Sequence, residues 1–316
     1  MRITASAAAS VSNLGPGYDA LGLCLESPRD RVTVERTDSG VVELVEVSGD
    51  GGRLPRVAEE NCASIAAQKV LEQFAPPGVG VRLWLEKGLP LGSGLGSSGA
   101  SAVAAALATS ALVSPEAPRE LLLSACREGE RHATGSPHPD NVAPSLLGGL
   151  VACVPRPTTE DMEAIEVVQL PIVDGLWIAA VKPDVEVRTA DARAALPTHI
   201  PMADVVANLG AMASLVAGLA TGDLAQVGRA LTDRIATPYR RGLIPGYAAV
   251  VTAAAEAGAV GAGISGSGPT VFALVDGADT AVHVAEVMVR AFGRAGHEAM
   301  TVLGAVDPVG ARIEVR

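Results

Sequence analysis

Pro90-Leu-Gly92-Ser-Gly94-Leu-Gly96-Ser-Ser98 is the stretch on which the reading of this 316-residue chain turns. Ahead of it, Val81-Arg-Leu-Trp-Leu-Glu86 alternates, so Val81, Leu83 and Leu85 share one face of a strand. Behind it, Ser98 to Val113 is a run of good helix formers rich in Ala and Leu. Strand, glycines and helix thus come in the order that builds an anion site. Gly92, Gly94 and Gly96 let the backbone approach an anion, and the helix opening at Ser97 or Ser98 turns unpaired N–H groups and partial positive charge towards it. The Ser98 hydroxyl is a hard oxygen of the kind Mg2+ prefers.

Other glycine-rich loops are separated from this one by what surrounds it. No Lys follows a glycine where a Walker A loop requires it. Gly94-Leu-Gly96-Ser-Ser-Gly99 matches GxGxxG, and so does Gly261-Ala-Gly263-Ile-Ser-Gly266, so the expression alone discriminates little. A dinucleotide fold needs the helix after the first match to lead into a second parallel strand with an acidic residue. Here a second helix, Pro115 to Arg131, is expected instead, and the second match falls between strands. A glycine-rich turn without a ligand stays open at this point.

Outward from the loop, Arg31-Val-Thr-Val-Glu35 and Val41 to Val47 read as strands. Ala67, Val70, Leu71 and Phe74 mark a helix that stops before Pro76-Pro77. Leu147 to Cys153 reads as a strand, and the Pro155-Arg-Pro-Thr-Thr stretch suggests a division near residue 160, giving domains 1–160 and 161–316. The second half alternates: strands near 164–170 and 177–181, helices near 202–220 and 245–257, a strand at 270–275, a helix carrying Val284, Val287, Met288 and Ala291, and a strand near 300–303. The whole predicts an α+β sandwich with helices on one sheet face.

Composition narrows the partners. With 48% hydrophobic but only 3% aromatic residues, Val, Leu, Ile and Ala must pack the core. A net charge of -11 repels nucleic acid and anionic lipid, so neither is expected as a partner, and an anionic ligand needs local amides, a metal or a few placed cations. The four cysteines (Cys24, Cys62, Cys126, Cys153) are far apart, as in reduced cytosolic proteins. The Ala-rich opening residues lack the apolar centre of a signal peptide, and Ala100 to Val113 is too short to span a bilayer. A cytoplasmic location is expected.

Three segments, Asn13-Leu-Gly-Pro-Gly-Tyr-Asp19, Pro90 to Ser98 and Gly261-Ala-Gly263-Ile-Ser265-Gly266-Ser267-Gly268, resemble the three ordered motifs of the GHMP kinase superfamily. His138-Pro-Asp-Asn-Val-Ala-Pro144, Arg188-Thr-Ala-Asp-Ala-Arg193, Pro238-Tyr-Arg240 and Leu243 to Tyr247 are similar to segments of the branch whose acceptor is L-homoserine, so the resemblance runs nearly end to end. Ser12 and Tyr18 depart from it, standing where that family often has Ala and Phe.

The resemblance implies a GHMP kinase two-domain fold: an N-terminal domain like ribosomal protein S5 domain 2, with its left-handed crossover, and a ferredoxin-like C-terminal domain. It implies ATP and Mg2+, and that Gly263, Ser265, Gly266, Ser267 and Gly268 pack beside the phosphate loop. ATP is then held by Lys87, Pro90, Leu91, Gly92, Ser93, Gly94, Leu95, Gly96, Ser97, Ser98, Gly99 and Ala100, and the metal by Ser98 and Glu130. Asp19 meets the acceptor's ammonium, Arg193 and Arg240 its carboxylate, Asn13 and Asn141 lie near its hydroxyl, and Thr189 helps to orient it. An Arg fork suits a carboxylate because it pairs bidentately.

Taken residue by residue, bland roles compete. Asp19, Asn13 and Asn141 are also turn formers, Arg193 and Arg240 also surface ion-pair residues, Glu130 also a solvated charge in Arg127-Glu-Gly-Glu-Arg131, Lys87 also a plain surface lysine, and His138 reads as structural. Asp140 is the alternative to a base-free reaction in which Asn141 positions the hydroxyl. A mevalonate-like or sugar-alcohol kinase, and a non-catalytic metabolite sensor of the same fold, are the competing functions. The family also implies a possible homodimer.

Overall fold

A computed structural model describes residues 1–156 and 164–315. The chain opens with β1 (Arg2–Ser12) and β2 (Leu21–Thr37), an antiparallel pair whose members are the longest strands of the molecule's first sheet. β3 (Val42–Ser48) and β4 (Gly80–Glu86) are joined through α1 (Cys62–Phe74) and pair in parallel. α1 starts where the Asn61 side chain accepts a hydrogen bond from the Ala63 N–H and ends ahead of the Pro76-Pro77 break. Then follow α2 (Ser97–Val113), α3 (Leu123–Thr134), α4 (Pro139–Leu147), β5 (Leu150–Arg156) and β6 (Ala164–Leu170). Pro115 and Pro118 delay the second expected helix: Arg119–Leu122 forms only a 3-10 turn before α3 begins.

The reading from sequence has no strand at β1. Its alanines, Ala5, Ala7, Ala8 and Ala9, are fully buried, because β1 is an inner strand and α2 packs across it. A strand covered on both faces shows no polar alternation, and methyl side chains let an Ala-rich helix lie close. α2 itself is buried from Gly99 to Ser110, against the sheet and between α1 and α3.

After β7 (Leu176–Pro183) come α5 (Thr189–Ala194), α6 (Met202–Thr221), α7 (Leu224–Ala230), α8 (Thr237–Arg240) and α9 (Tyr247–Glu256). The chain ends with β8 (Gly261–Ile264), β9 (Val271–Asp276), α10 (Ala278–Arg294), β10 (Ala299–Ala305) and β11 (Arg312–Val315). The second sheet runs β10-β7-β9-β8 and is antiparallel throughout. Numbered within that half, its order is 4-1-3-2 with helices between the first and second and the third and fourth strands, the ferredoxin-like βαββαβ plan. α9 and α10 pack on it, with Val284, Met288 and Ala291 turned inward as their spacing predicts.

The first sheet runs β11-β1-β2-β4-β3, and β5 pairs with both β2 and β6. The last strand therefore returns to the first sheet and closes it beside β1. The expected division at residue 160 lies outside the described residues, between β5 and β6, which pair as a hairpin of the first sheet. The chain passes to the second sheet only after Leu170. Among the described residues one helix, α6, is long and apolar enough to cross a membrane, with mean hydropathy 1.6. It lies along α7, and its buried Asn208 donates to the Pro16 carbonyl at 2.8 Å and accepts from the Arg234 N–H at 3.0 Å.

Candidate active site

The three glycine-containing segments meet in one cleft of about 890 Å3. Gly92, Gly94 and Gly96 all adopt left-handed backbone, and Gly96 caps α2. A side chain at Gly94 would put its Cβ 2.4 Å from the Ser265 carbonyl and 2.7 Å from that of Gly268. The loop thus lies directly against the third segment, and the Ser265 hydroxyl donates to the Gly94 carbonyl at 2.7 Å. Gly92, Ser93, Gly94, Gly96, Ser97, Ser98, Gly266 and Ser267 line the cleft. Leu95, Gly99 and Ala100 are buried behind it, Ser265 and Gly268 brace the loop from the β8 side, and Gly263 lies within β8 against the Phe272 ring. Pro90 and Leu91 carry the turn from β4 into the loop, and Leu91 reaches the cleft.

The first segment is strained. Asn13, Leu14 and Asp19 have φ of 72°, 45° and 53°, a region that costs a non-glycine residue about 1–3 kcal/mol. Asn13 offsets that cost: its Nδ2 donates to the Gly266 carbonyl at 2.9 Å and its Oδ1 accepts from the Asp19 N–H at 3.0 Å. The side chain expected near a reacting hydroxyl therefore also fastens this turn to the third segment.

Asp19 is half-exposed in the cleft, and Arg193 Nη2 donates to its Oδ2 at 2.9 Å. Arg193 also points Nη2 at His138 Nδ1, 3.1 Å away. Arg240 is 4% exposed; it donates to the carbonyls of Ala192 and Gly266, both at 3.1 Å, and stacks on the Tyr18 ring. Its place is fixed by α5 and the third segment together. Thr189, at the start of α5, lines the same cleft.

His138 and Asp140 open α4 and turn towards Asp19. Burial, then the Arg193 charge, pushes the His138 imidazole down to about 4, so it is neutral at pH 7. Burial, then Asp19, raises the Asp140 carboxyl to about 7. Asn141 is beside it, its Oδ1 3.5 Å from the Ser10 hydroxyl. His138, read from sequence as structural, belongs to the site; nothing local in the sequence announces this, since its partner Arg193 is 55 residues away. Leu54, Pro55, Asn61 and Cys62 also line the cleft and come from the stretch leading into α1, which carries no motif.

Ser98 and Glu130 are brought together across α2 and α3: the Ser98 hydroxyl donates to Glu130 Oε2 at 2.6 Å. Glu130 is 3% exposed, not solvated, and burial raises its carboxyl to about 7 against the pull of Ser98. A hydroxyl and a buried carboxylate at a phosphate loop are hard oxygen donors that fit Mg2+. Lys87, expected at the phosphates, lines the same cleft and is also engaged below the loop. Its buried ammonium is paired with Asp30 and donates to the Ser97 carbonyl and hydroxyl and to the Ser101 hydroxyl. Asp30 in turn accepts from the N–H groups of Gly88 and Leu89. Lys87 anchors the start of α2 from below.

A strand-loop-helix anion cradle, a hard-oxygen pair and an Asp/Arg pocket on this two-sheet plan define a small-molecule phosphotransferase. The family model for the GHMP kinases N terminal domain matches residues 61–149 and that for the GHMP kinases C terminal matches 215–295. The chain belongs to the GHMP kinases. Within that family it is similar to homoserine kinase of Chlorobium phaeobacteroides, 39% identical over 92% of each chain, and to that of Pyrococcus furiosus, 39% identical over 93% and 94%. The crystal structure of homoserine kinase from Cytophaga hutchinsonii superposes with a TM-score of 0.92 at 38% identity, covering 99% of this chain and 97% of that one.

Proposed function

We propose that this cleft transfers the γ-phosphoryl group of ATP to the side-chain hydroxyl of L-homoserine, giving O-phospho-L-homoserine and ADP, a step towards threonine. The observation that carries the reading is the meeting of Asp19, Arg193 and Arg240 beside the glycine loop. An anion and two guanidiniums match an amino acid's two charged ends, whereas a mevalonate-like acid has a carboxylate but no ammonium for Asp19, and a neutral sugar alcohol has neither.

The roles follow from the chemistry of each group. Amides of Gly92 to Ser98 and the α2 N-terminus hold the phosphates. Ser98 and Glu130 hold Mg2+, which, when bound, neutralises charge on the transferring phosphoryl. Asp19 takes the ammonium, Arg240 and Arg193 the carboxylate, with Thr189 and Asn13 beside them. Leu54, Pro55 and Cys62 offer an apolar wall for the nucleoside. Asn141 orients the hydroxyl for in-line attack, and the reaction runs on positioning without a dedicated base. Asp140→Asn keeping most of its turnover supports this; loss of several orders of magnitude in a folded, substrate-binding variant makes Asp140 the base.

The direct test follows ADP release from purified protein with Mg-ATP and a panel of alcohols. Stimulation by L-homoserine is expected. Stimulation by another alcohol and not by L-homoserine overturns the reading. We place the protein in the cytoplasm, on its reduced thiols and net charge of -11, and as a homodimer.

A further inference from the structure

Besides Arg193 Nε, three buried polar atoms near Asp19 have no hydrogen-bond partner among the described residues: Ser12 Oγ, Asp140 Oδ1 and His138 Nε2. Their side chains all line the cleft, and Ser12 and Asp140 are only 1% and 2% exposed. Leaving such groups unpaired is costly, so a polar side chain buried this deeply and facing a cleft points to a ligand. One oxygen of Asp19, one of Asp140 and a ring nitrogen of His138 lie within 4.8 Å of one another. Two acceptors that close both reach a single nitrogen, because two N–H···O arms of about 2.8 Å span as much as about 5.6 Å. Ser12 faces the Asp140 carboxyl and opposes the rise that burial imposes on it.

We propose that Asp19, Asp140 and Ser12 form a three-acceptor seat for the primary ammonium of the acceptor, one oxygen for each N–H. This rests on the reading of the acceptor as an amino acid and adds a demand: –NH3+ with all three bonds intact. An ammonium has three donors and no acceptor, which matches the set. Asp19 Oδ2 is taken by Arg193, while Oδ1, 3.9 Å from His138 Nδ1, stays available. The guanidiniums of Arg193 and Arg240 border the seat, which suits a zwitterion and opposes a bare divalent ion. Neutral His138 adds no positive charge.

The groups that set the charge of Asp140 are Asp19, Glu130 on α3, Arg193 on α5 and the Cys153 thiol on β5. An ammonium entering the seat favours the ionised carboxyl, so binding near pH 7 releases a proton from Asp140. A ligand without nitrogen does not.

The test compares the intact chain with S12A and S12T, using L-homoserine, N-methyl-L-homoserine and 4-hydroxybutyrate, which keeps the carboxylate and hydroxyl but lacks the ammonium. S12A is expected to raise the KM for L-homoserine about tenfold, with most of the effect in KM, and S12T to restore it. Inhibition by 4-hydroxybutyrate and the KM for Mg-ATP are expected to be the same in S12A as in the intact chain. The intact chain itself should bind N-methyl-L-homoserine at least about tenfold more weakly than L-homoserine. Calorimetry in two buffers of different ionisation enthalpy should show proton release with L-homoserine and none with 4-hydroxybutyrate. An equal shift for both ligands in S12A, or a loss of kcat at unchanged KM, overturns the seat. If L-homoserine is not phosphorylated by the intact chain, the acceptor reading itself has failed; if it is, and S12A is indistinguishable, only the seat has.

Discussion

Lys87, which lines the cleft, also forms a buried pair with Asp30. Replacing Lys87 by Met leaves Asp30 ionised in the core with only amides and a hydroxyl around it. Such a change costs about 3–5 kcal/mol. Chemical denaturation of Lys87→Met is expected to show that loss, and the fraction that folds should keep the KM for ATP within about threefold. A large selective rise in that KM with full stability would return Lys87 to the phosphates. Glu130→Gln tests the metal pair in the same way: the Mg2+ needed for half-maximal turnover should rise about tenfold or more. An unchanged requirement removes Glu130. Asp140 carries a pH signature. Its folded carboxyl titrates near 7 and an ordinary Asp near 3.8, so the folded state holds the extra proton between those values. The cost of ionising it is absent below about pH 4, grows as pH rises from there to 7, and is complete above 7. The ligand-free Asp140→Asn variant should therefore melt above the unaltered chain at pH 8, by on the order of 2–4 kcal/mol, and level with it near pH 4.

Elements were legible where their period is expressed on a half-buried surface. β4, α1, α10 and the strand at β9 follow from alternation or a 3.6 repeat, and the glycine loop follows from being contiguous. β1 is hidden because it is covered on both faces, and the short helices α4, α5, α7 and α8 are too brief for a period to show. The site divides along the same line. Ser98, Glu130 and Asp19 sit in recognisable segments, whereas the meeting of His138 with Arg193, or the approach of Ser12 to Asp140, exists only once α4 is folded against β1 and α5 stands beside the first segment. The loop's own geometry gives the prediction at this scale. At Gly94, φ is +75° and a methyl group would meet two backbone carbonyls that cannot yield cheaply. Gly94→Ala should lose about 2–4 kcal/mol in thermal unfolding and bind ATP at least about tenfold more weakly. Full ATP affinity would show that the loop and third segment do not need to touch.

The cleft depends on the two halves being held in register by specific ties, among them Asn13 and Arg240 to the Gly266 carbonyl, Ser265 to Gly94, Arg193 to Asp19 and Asn208 to Pro16. Away from the cleft, α6 presents Met202, Val206 and Leu209, each more than 60% exposed, with Asp204 its single charged residue. The opposite side of that helix is fixed by Asn208 and Gly218 against the first segment and α7. A row of large apolar side chains beside small ones, with little charge, is what a two-fold helix pair between copies uses, since each copy offers the same surface to the other. Light scattering at micromolar concentration is expected to give twice the chain mass, and Leu209→Glu to give the single mass with turnover retained, because Leu209 touches nothing in the cleft. A monomer in the unaltered chain would end the dimer proposal and leave the kinase reading untouched. A dimer that survives Leu209→Glu would move the interface to another face.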